Sequence, residues 1–498
     1  MRTTRPSADA AVIEAALCDP SLSDRVEMVL SASGPDTYRA ASATGSVEFV
    51  RRADRGEVTY ERTATSGSDP LADQSTDRFL GLAAEAGALL PAQHENAYPH
   101  AFDSVAQFFD APHSPDLVAL HTAAHNYGHL GQHGSLAAVQ ARAPFIAAGQ
   151  GVRCLGTLDE STRVIDIAPT IASVLGVEPN PDSVGPTGEP RPGGLLRRQD
   201  GEVEETLLDG SVARHAVVFL LDGCNANLLA DVLSSGEAPN LAAIASRGTT
   251  YARGAISSLP TATLANHTSA ITGAHPGHSG ILHNAWIDSD TSDAVDLLQL
   301  DQMFHAMQHL SPRVETLFQA VGRSRPGAFT SASFEFCDTG ADFSTFGLAR
   351  SGDPNGLPGI DDVSDLDADS ATCDGYAFMS RVDHLSMTHT IECWEGTHGN
   401  DRPTLSWCSL ALTDEAGHES GPHGTLARAA VRDGDARIGR VLAAVERAGA
   451  LEETAVFVVA DHGMEQSDPE LDEPWDDALA STGVAYREVG DGLIYLGH

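Results

Sequence analysis

The chain has 498 residues, of which 42% are hydrophobic, enough to bury a core in one large domain or in about two or three ordinary ones. Thirty basic residues against seventy acidic ones give a formal net charge of −40, and because all thirty are arginines the chain contains no lysine. The lack of lysine excludes a Walker phosphate loop, a pyridoxal Schiff base and a lysine general base, and the negative charge disfavours binding to nucleic acid or to anionic membranes.

The cysteine pattern and the first residues of the sequence indicate where in the cell the protein is expected. The seven cysteines form no CxxC pair and are typical of reduced thiols; they are Cys18, Cys154, Cys224, Cys337, Cys373, Cys393 and Cys408. The first stretch, MRTTRPSADAAVIEAALCDP, lacks the apolar segment of a signal peptide, and no apolar run reaches the roughly 18 residues that span a bilayer. We therefore expect a globular protein of the cytoplasm.

The first part of the chain predicts strands and one clear helix. Short segments at about 25–65 (RVEMVLSAS, GSVEFVRR and GEVTYERTAT) predict a small antiparallel patch. SPDLVALH and RAPFIAAG are typical of buried strands that continue the architecture of the second part, and VIDIAPTIASVLGV predicts a helix that ends at Gly176. The segment Glu178–Gly210, rich in proline and glycine, is interpreted as a linker.

The second part alternates buried strands with helices. HAVVFLLDG (His215–Gly223), TLSWCSLALTD (Thr404–Asp414) and TAVFVVADHG (Thr454–Gly463) are apolar runs typical of parallel strands. Helical patterns lie between them, so we predict an α/β fold with a doubly wound, mostly parallel sheet between helices. Residues from about 285 to 403 are loop-rich and acidic in part, and are interpreted as an inserted cap region that controls access to a site.

Three of the predicted strands each deliver an aspartate to one edge of the sheet, where ligands bind in parallel sheets. These residues are Asp222, Asp414 and Asp461, and each taken alone is as readily explained as a helix N-cap. His418 follows Asp414 by four residues, and His462 follows Asp461 directly. Because carboxylates with imidazoles suit zinc or manganese, two such pairs favour a metal site over a structural role.

The candidate nucleophile is Thr263. TLANHTSAITG predicts a helix that begins at Thr263 and ends at Gly273, and the backbone N–H groups and dipole at its start favour an oxyanion or a phosphate. A hydroxyl coordinated to a divalent metal is partly deprotonated and becomes a competent nucleophile. Taken alone, Thr263 is more simply explained as an N-cap.

Together these motifs resemble the type I phosphodiesterase/nucleotide pyrophosphatase branch of the alkaline phosphatase superfamily. The family motif Pro-Thr-Lys-Thr-Phe-Pro-Asn-His is similar to PTATLANH (Pro260–His267), DEAGHESGP (Asp414–Pro422) matches Asp-x-x-Gly-His-x-x-Gly-Pro, and ADHGM matches Asp-His-Gly-Met. The resemblance implies an alkaline-phosphatase-like fold, attack by Thr263 on phosphorus through a phospho-threonine intermediate, and phosphoryl oxygens held by Asn284 and the backbone N–H of Leu264.

The resemblance also implies two divalent metal ions, zinc with manganese as the alternative, at the roughly 4 Å separation of two-metal sites. One ion is held by Asp222, Thr263, Asp461 and His462, and the other by Asp414, His418 and His133. The family places the last of these histidines in a His-Gly pair after the Asp-His-Gly-Met segment, but residues 465–498 contain no such pair. HNYGHLGQHGS (His125–Ser135) supplies it as His133 and Gly134, and the sequence that follows looks like the family's ending.

We therefore interpret the chain as circularly permuted. Residues 1–178 are then the C-terminal part of the family's catalytic core, residues 179–213 join the old termini, and residues 214–498 are the N-terminal part. Permutation is tolerated because domain termini lie at the surface, often close together. The glycines between the three histidines argue against a helix that aligns them, so we expect His125 and His129 to be loop neighbours rather than ligands.

Three departures from the family pattern concern the substrate. The family's lysine is Ala262, the aromatic residue after the nucleophile is Leu264, and a histidine before Gly-Ile is Ser279 with His278 beside it. The favoured function is hydrolysis of phosphodiester or pyrophosphate bonds in small molecules, with no duplex nucleic acid or membrane as partner. Phosphonate hydrolysis and phosphomonoester hydrolysis are the enzymatic alternatives, and an acidic metal-binding protein is the non-enzymatic one.

Overall fold

The computed structural model describes residues 7–54, 56–87, 97–122, 128–359, 374–471, 475–490 and 492–497. In chain order the strands are β1 (Val26–Gly34), β2 (Thr37–Ser42), β3 (Gly45–Asp54), β4 (Glu57–Gly67), β5 (Leu117–His121), β6 (Gly131–Gln132), β7 (Arg142–Ala143), β8 (Phe145–Gly149), β9 (Gly156–Leu158), β10 (Thr162–Arg163), β11 (His215–Leu221), β12 (Gly248–Tyr251), β13 (Ala255–Ile256), β14 (Ala285–Ile287), β15 (Ala294–Asp296), β16 (Thr330–Ser333), β17 (Phe343–Ser344), β18 (Leu405–Leu410), β19 (Thr454–Val459), β20 (Glu465–Gln466), β21 (Tyr486–Val489) and β22 (Leu493–Leu496).

The α-helices are numbered in the same way. They are α1 (Ala8–Leu17), α2 (Leu82–Gly87), α3 (Ala101–Phe108), α4 (Ala138–Ala141), α5 (Ile167–Val174), α6 (Ala226–Ser235), α7 (Pro239–Ser246), α8 (Thr263–Thr272), α9 (Pro276–Ser279), α10 (Leu300–Met303), α11 (Leu317–Ser324), α12 (Thr345–Ser351), α13 (Asp374–Glu395), α14 (Leu412–Ser420), α15 (Thr425–Arg447) and α16 (Asp476–Ser481).

An eight-stranded sheet forms the centre of the molecule, in the order β17-β16-β18-β11-β19-β8-β12-β9. Most neighbours are parallel, and only β8 runs antiparallel to its partners β19 and β12. Every residue of β11, β18 and β19 is buried, as expected for apolar strands covered on both faces by helices. The predicted α/β class with a mostly parallel sheet is confirmed.

The carboxyl ends of three central strands bring the predicted aspartates together. β11 pairs in parallel register with β18 on one side and β19 on the other, ending at Leu221, Leu410 and Val459. Asp222 and Asp461 follow their strands within two residues. Asp414 does not end its strand as predicted, because β18 stops at Leu410 and Asp414 lies in the first turn of α14.

A second, wholly antiparallel sheet of seven strands has the order β21-β22-β5-β1-β2-β3-β4. The predicted small patch is thus larger, because it also takes in β5 and the hairpin at the end of the chain. The segment SPDLVALH forms β5 in this sheet and does not continue the parallel architecture. The segment RAPFIAAG does enter the central sheet, as β8, but in the antiparallel direction.

The proline-rich segment after Val177 is packed onto the body of the protein although it has little regular secondary structure. Leu196 and Leu207 are buried in the central core. The carboxylate of Asp200 accepts hydrogen bonds from the backbone N–H of His275 (2.9 Å) and from Nδ1 of His278 (2.6 Å). Its composition predicted a linker, but these buried contacts show that it also contributes to the core.

The interpretation of residues 285–403 as an insertion applies to only part of that range. β16 and β17 extend the central sheet, and α13 packs against β16 and β18. The hairpin β14–β15 and helix α10 lie outside that sheet. Residues 360–373, the most acidic part of the predicted cap, fall outside the described residues.

The two ends of the chain meet in one small apolar cluster. Ala10 and Leu17 of α1 pack there with Leu479 of α16 and Ile494 of β22. Among the described residues, no helix combines the length and apolar composition needed to cross a membrane. The six described cysteines are free thiols, and Cys373 lies outside the described residues.

Candidate metal centre

Six of the predicted ligands form two groups at the carboxyl edge of the central sheet. The first group is Asp222, Asp461 and His462, all buried, and the second is His133, Asp414 and His418, all half-buried. Within each group one potential ligand atom per residue lies within 4.8 Å of the others. The imidazole rings of His133 and His462 are stacked with centroids 4.0 Å apart, so the two groups adjoin.

The first group is built by the ends of β11 and β19. Nε2 of His462 lies 3.2 Å from Oδ2 of Asp461 and 3.8 Å from Oδ1 of Asp222. The backbone N–H of Gly223 donates to the other oxygen of Asp461 (3.1 Å) and fixes that carboxylate. A side chain at Gly223 would place its Cβ 2.3 Å from Oδ1 of Asp414, and the residue has φ +61°, so only glycine allows this approach.

The second group joins distant parts of the sequence. Nε2 of His133 lies 3.2 Å from Nε2 of His418 and 3.8 Å from Oδ1 of Asp414. His418 and Asp414 face each other on one side of α14, with Nε2 and Oδ2 3.4 Å apart. The prediction that His133 lies beside Asp414 and His418 therefore agrees with the geometry.

The three imidazoles share one orientation. Each donates its Nδ1–H to a backbone carbonyl: His133 to Thr261 (2.7 Å), His418 to Gly131 (2.8 Å) and His462 to Gly463 (2.9 Å). In a neutral imidazole, donation from Nδ1 fixes the tautomer whose Nε2 carries a lone pair, which is how metal-binding histidines are commonly held. Every Nε2 is thereby left facing the carboxylates of its own group.

The electrostatics of the two groups fit cations. Burial, followed by repulsion from Asp461 and Asp414, raises the pKa of Asp222 to about 7, and burial raises the pKa of Asp461 to about 6. Burial disfavours charge on Asp414 and His418 too, but their mutual attraction lowers the pKa of Asp414 and raises that of His418 to about 9. Such closely placed carboxylates are stabilised by a positive charge between them.

Unpaired buried atoms point to the same conclusion. Within the described part of the chain, Oδ1 of Asp222, Oδ1 of Asp414 and Oδ2 of Asp461 have no hydrogen-bond partner. Burying a carboxylate oxygen without a partner costs several kcal/mol unless a cation or a donor reaches it. The donor set of carboxylates and imidazoles suits zinc or manganese, so these residues fit a pair of divalent ions.

Thr263 is the first residue of α8, next to the first group. Ala262 occupies the N-cap position, so the simpler explanation of Thr263 as an N-cap does not hold, and the helix ends at Gly273 with φ +66° as predicted. Oγ1 of Thr263 lies 3.5 Å from Nε2 of His462. The hydroxyl thus lies at the positive end of a helix and beside a potential metal ligand.

Asn284 and Leu264 adjoin the nucleophile. The backbone N–H of Leu264 donates to Oδ1 of Asn284 (3.1 Å). The Leu264 side chain is fully buried in an apolar cluster that also contains Trp286 and Phe336, so any contact of Leu264 with a substrate comes from its backbone N–H. The stacking surface that the family has at this position is therefore absent.

The other histidines of HNYGHLGQHGS differ from His133. The ring of His129 is exposed and lies 4.9 Å from the ring of His418, but it belongs to neither group. His125 falls outside the described residues.

Three residues near the site, His267, Glu335 and Asp383, were not predicted as functional residues from the sequence. His267 lies one helical turn after Thr263, with Nδ1 bonded to Glu335 (2.9 Å) and Nε2 3.7 Å from Asp222 and 3.9 Å from Asp461. Asp383 of α13 accepts hydrogen bonds from the backbone N–H groups of Ala411 and Leu412, and so holds the start of α14. The four-residue spacing from Thr263 could have indicated His267, but no local signal relates Glu335 or Asp383 to the site.

One protein-family model matches this chain. The family model described as type I phosphodiesterase/nucleotide pyrophosphatase matches residues 216–496, more than half of the chain. The chain belongs to this family. Its mostly parallel sheet with flanking helices is the alkaline-phosphatase-like fold that the sequence predicted.

Solved structures give a more distant similarity. Murine ectonucleotide pyrophosphatase/phosphodiesterase 5 is 18% identical, with a TM-score of 0.36 over 51% of this chain and 59% of that chain. An inactive variant of the same murine protein in complex with AMP gives 17% identity and a TM-score of 0.34, over 52% and 59% of the two chains. The chain thus matches less than two thirds of the length of these relatives. A search of curated proteins found no match.

Proposed function

We propose that the protein is a two-metal hydrolase of small phosphate esters, acting on phosphodiester or pyrophosphate bonds. The observation that carries the proposal is the placement of Thr263, at the start of α8 and 3.5 Å from His462, beside two adjoining groups of carboxylates and imidazoles. A non-catalytic metal-binding protein does not require a hydroxyl at that point.

The residues divide between two ions, zinc or alternatively manganese. Asp222, Thr263, Asp461 and His462 would hold one ion, and His133, Asp414 and His418 the other. When bound, such ions act as Lewis acids that lower the pKa of a hydroxyl and stabilise negative charge on a leaving oxygen.

The protein's own groups then carry the reaction. Oγ1 of Thr263 releases its proton to solvent and forms a bond to phosphorus while the bond from phosphorus to the leaving oxygen breaks, and that oxygen departs and takes a proton from solvent. The resulting phospho-threonine is hydrolysed when a water oxygen forms a bond to phosphorus and the bond from phosphorus to Oγ1 breaks. The water gives up a proton, and Oγ1 of Thr263 takes one up. The backbone N–H of Leu264, which donates to Oδ1 of Asn284 in the free protein, then donates a hydrogen bond to a phosphoryl oxygen. The side-chain amide N–H of Asn284 donates a hydrogen bond to the phosphoryl group as well.

The buried side chain of Leu264 bears on the substrate class. Because no aromatic ring follows the nucleophile, a nucleobase gains no stacking surface there, and we propose that recognition rests on the phosphate more than on a base. Phosphonates and phosphomonoesters remain the alternative substrates. The charge of −40 repels nucleic acid, so we propose small molecules in the cytoplasm as substrates.

We further propose that the chain is a circular permutant of its family. β8, from the first part, lies in the central sheet between β19 and β12 of the second part. Helix α5 packs against α8, which carries Thr263. His133 lies beside Asp414 and His418, and 285 residues of sequence separate it from His418. The first part is therefore integral to the catalytic core, as a relocated family ending requires.

The proposed function predicts a metal-dependent preference among substrates. The purified protein should carry about two equivalents of divalent metal and hydrolyse aryl phosphodiesters faster than aryl phosphomonoesters, phosphonates or sulfates. A chelator should lower the rate by at least about 100-fold, and added zinc or manganese should restore it. Elemental analysis and turnover of the four substrates, each with and without chelator, provide the measurement. Full activity with one ion or none contradicts the assignment.

The proposed permutation predicts that a gene encoding the two parts of the chain in the opposite order produces a folded and active protein. The new chain starts at Ser211, links His498 to Ser7 through a short Gly/Ser linker, and ends at Gly210. The cut lies in exposed backbone, so the buried contacts of the segment after Val177 are kept, and the elements next to the joined ends, α1 and β22, pack in one apolar cluster.

We expect two metal equivalents and a turnover within about tenfold of the original, because the contacts do not depend on chain order. The original chain carrying the same linker at its end is the control for the linker. A rewired protein that folds but has lost the second ion argues against the proposed order.

A further inference from the structure

Thr261, two residues before the candidate nucleophile, contacts the His133 segment through its side chain. Its hydroxyl donates to the backbone carbonyl of Ser135 (3.0 Å) and accepts from the backbone N–H of Gly134 (2.7 Å). The residue is fully buried. The hydroxyl thus acts as donor and as acceptor toward the two successive residues that follow His133.

The backbone of Thr261 makes a third contact with the same segment. Its carbonyl accepts the Nδ1–H of His133 at 2.7 Å, the bond that leaves Nε2 directed at Asp414 and His418. One residue therefore sets both the path of the backbone at Gly134 and the orientation of the imidazole.

The position of His133 depends on such contacts because its own secondary structure is slight. It follows the two-residue strand β6 and precedes Gly134, whose φ of +121° lies outside the range of ordinary side-chain-bearing residues. The ligands Asp414 and His418, in contrast, share one helix. His133 therefore has to be held in place by another part of the chain.

The segment has further contacts on both sides of His133. The carbonyl of Gly131 accepts from His418, and β6 pairs with β20. On the other side, the carbonyl of His133 lies 3.1 Å from Nε2 of His121, and the N–H of Ser135 donates to Gln140 (2.9 Å). These contacts reach the backbone, whereas Thr261 bonds to Nδ1 of the His133 imidazole as well as to the backbone of the next two residues. Thr261 also belongs to the turn that leads into α8, so it ties the histidine directly to the segment bearing Thr263.

We propose that Thr261 is a positioning residue that holds His133 in the second metal group and sets that group against Thr263. The inference rests on the proposed function, since it assumes that the second group binds an ion. Outer contacts of this kind typically change metal affinity by about 10–100-fold when they are removed.

The test compares Thr261→Val with Thr261→Ser. Valine keeps the shape but leaves the N–H of Gly134 and the carbonyl of Ser135 unpaired, whereas serine keeps both bonds. For Thr261→Val we expect the affinity for the weaker of two zinc ions, titrated into chelator-treated protein, to fall on the order of 10–100-fold. kcat should fall together with the zinc affinity, while KM changes little. In Thr261→Ser, the zinc affinity and kcat should stay near those of the unmodified protein.

A matched control separates positioning from general stability. Thr454 is another buried threonine whose hydroxyl bonds to one backbone carbonyl, that of Ala450, at the amino end of β19. Thr454→Val should lower the melting temperature without changing zinc affinity. If Thr261→Val fails to fold, Thr261→Ala replaces it, because a water can occupy the space and pair with the freed backbone groups.

The outcomes are distinct. Unchanged binding of both ions in Thr261→Val or Thr261→Ala overturns the inference while leaving the proposed function intact. If the unmodified protein itself binds fewer than two ions, the proposed function fails whatever Thr261 does. Weaker second-site binding in Thr261→Val that serine restores, with binding unchanged in Thr454→Val, supports the inference.

Discussion

Thr263→Ala is expected to lower kcat by about four to six orders of magnitude, because it removes the group that forms the bond to phosphorus. The fold should persist, since alanine suits the first turn of α8, which has no side-chain cap to lose. Asp222, Asp461 and His462 remain to hold the first ion, so about two metal equivalents should still be found.

The measurement pairs single-turnover kinetics with elemental analysis. Thr268→Ala is the matched control: its hydroxyl, on the same helix, donates to the carbonyl of Leu264 and contacts the thiol of Cys337, and it belongs to neither metal group, so a near-normal rate is expected. In the unmodified protein, acid quenching during turnover should leave a phosphoryl group on Thr263, detectable by mass. If Thr263→Ala retains a near-normal rate, a water is the direct nucleophile and the phospho-threonine intermediate is wrong.

The chemistry of the site was more predictable from the sequence than its architecture. Asp222, Asp461 and His462 could be predicted because buried apolar strands end at the same edge of a parallel sheet, and the next residues necessarily meet there. His418 followed from its spacing to Asp414, since four residues on a helix place two side chains on one face. Local sequence alone determines such relationships.

Relationships between distant segments could not be predicted in that way. The direction of β8 and the number of strands in the antiparallel sheet depend on which strands pair. The composition of an apolar strand does not indicate which strand it pairs with. Glu335 was missed for the same reason: it bonds to His267 across 68 residues, and only the folded chain brings the two together. His133 was predicted only because the His-Gly pair that the family has after its Asp-His-Gly-Met segment is missing from residues 465–498 of this chain and occurs at residues 133–134 instead.

His133→Ala is expected to remove one of the two ions and most of the activity. The two remaining residues, Asp414 and His418, leave the second ion short of the three protein ligands typical of a catalytic zinc site, so its affinity should fall by at least about 100-fold. The first ion keeps Asp222, Asp461 and His462, so a single tight equivalent should remain in a zinc titration monitored without turnover. kcat should fall with occupancy of the second site.

His129→Ala provides the matched control for that loss, because it removes an imidazole from the same segment and the same neighbourhood. The ring of His129 lies 4.9 Å from that of His418, but it is exposed and belongs to neither metal group, and the backbone carbonyl of residue 129 still accepts from Ser467 after the substitution. Its two metal equivalents and its rate should therefore stay near normal. Equal losses in the two variants would mean that imidazoles near Asp414 act only through charge. Loss confined to His133→Ala assigns the metal bond to the one ring whose Nε2 lies 3.2 Å from that of His418.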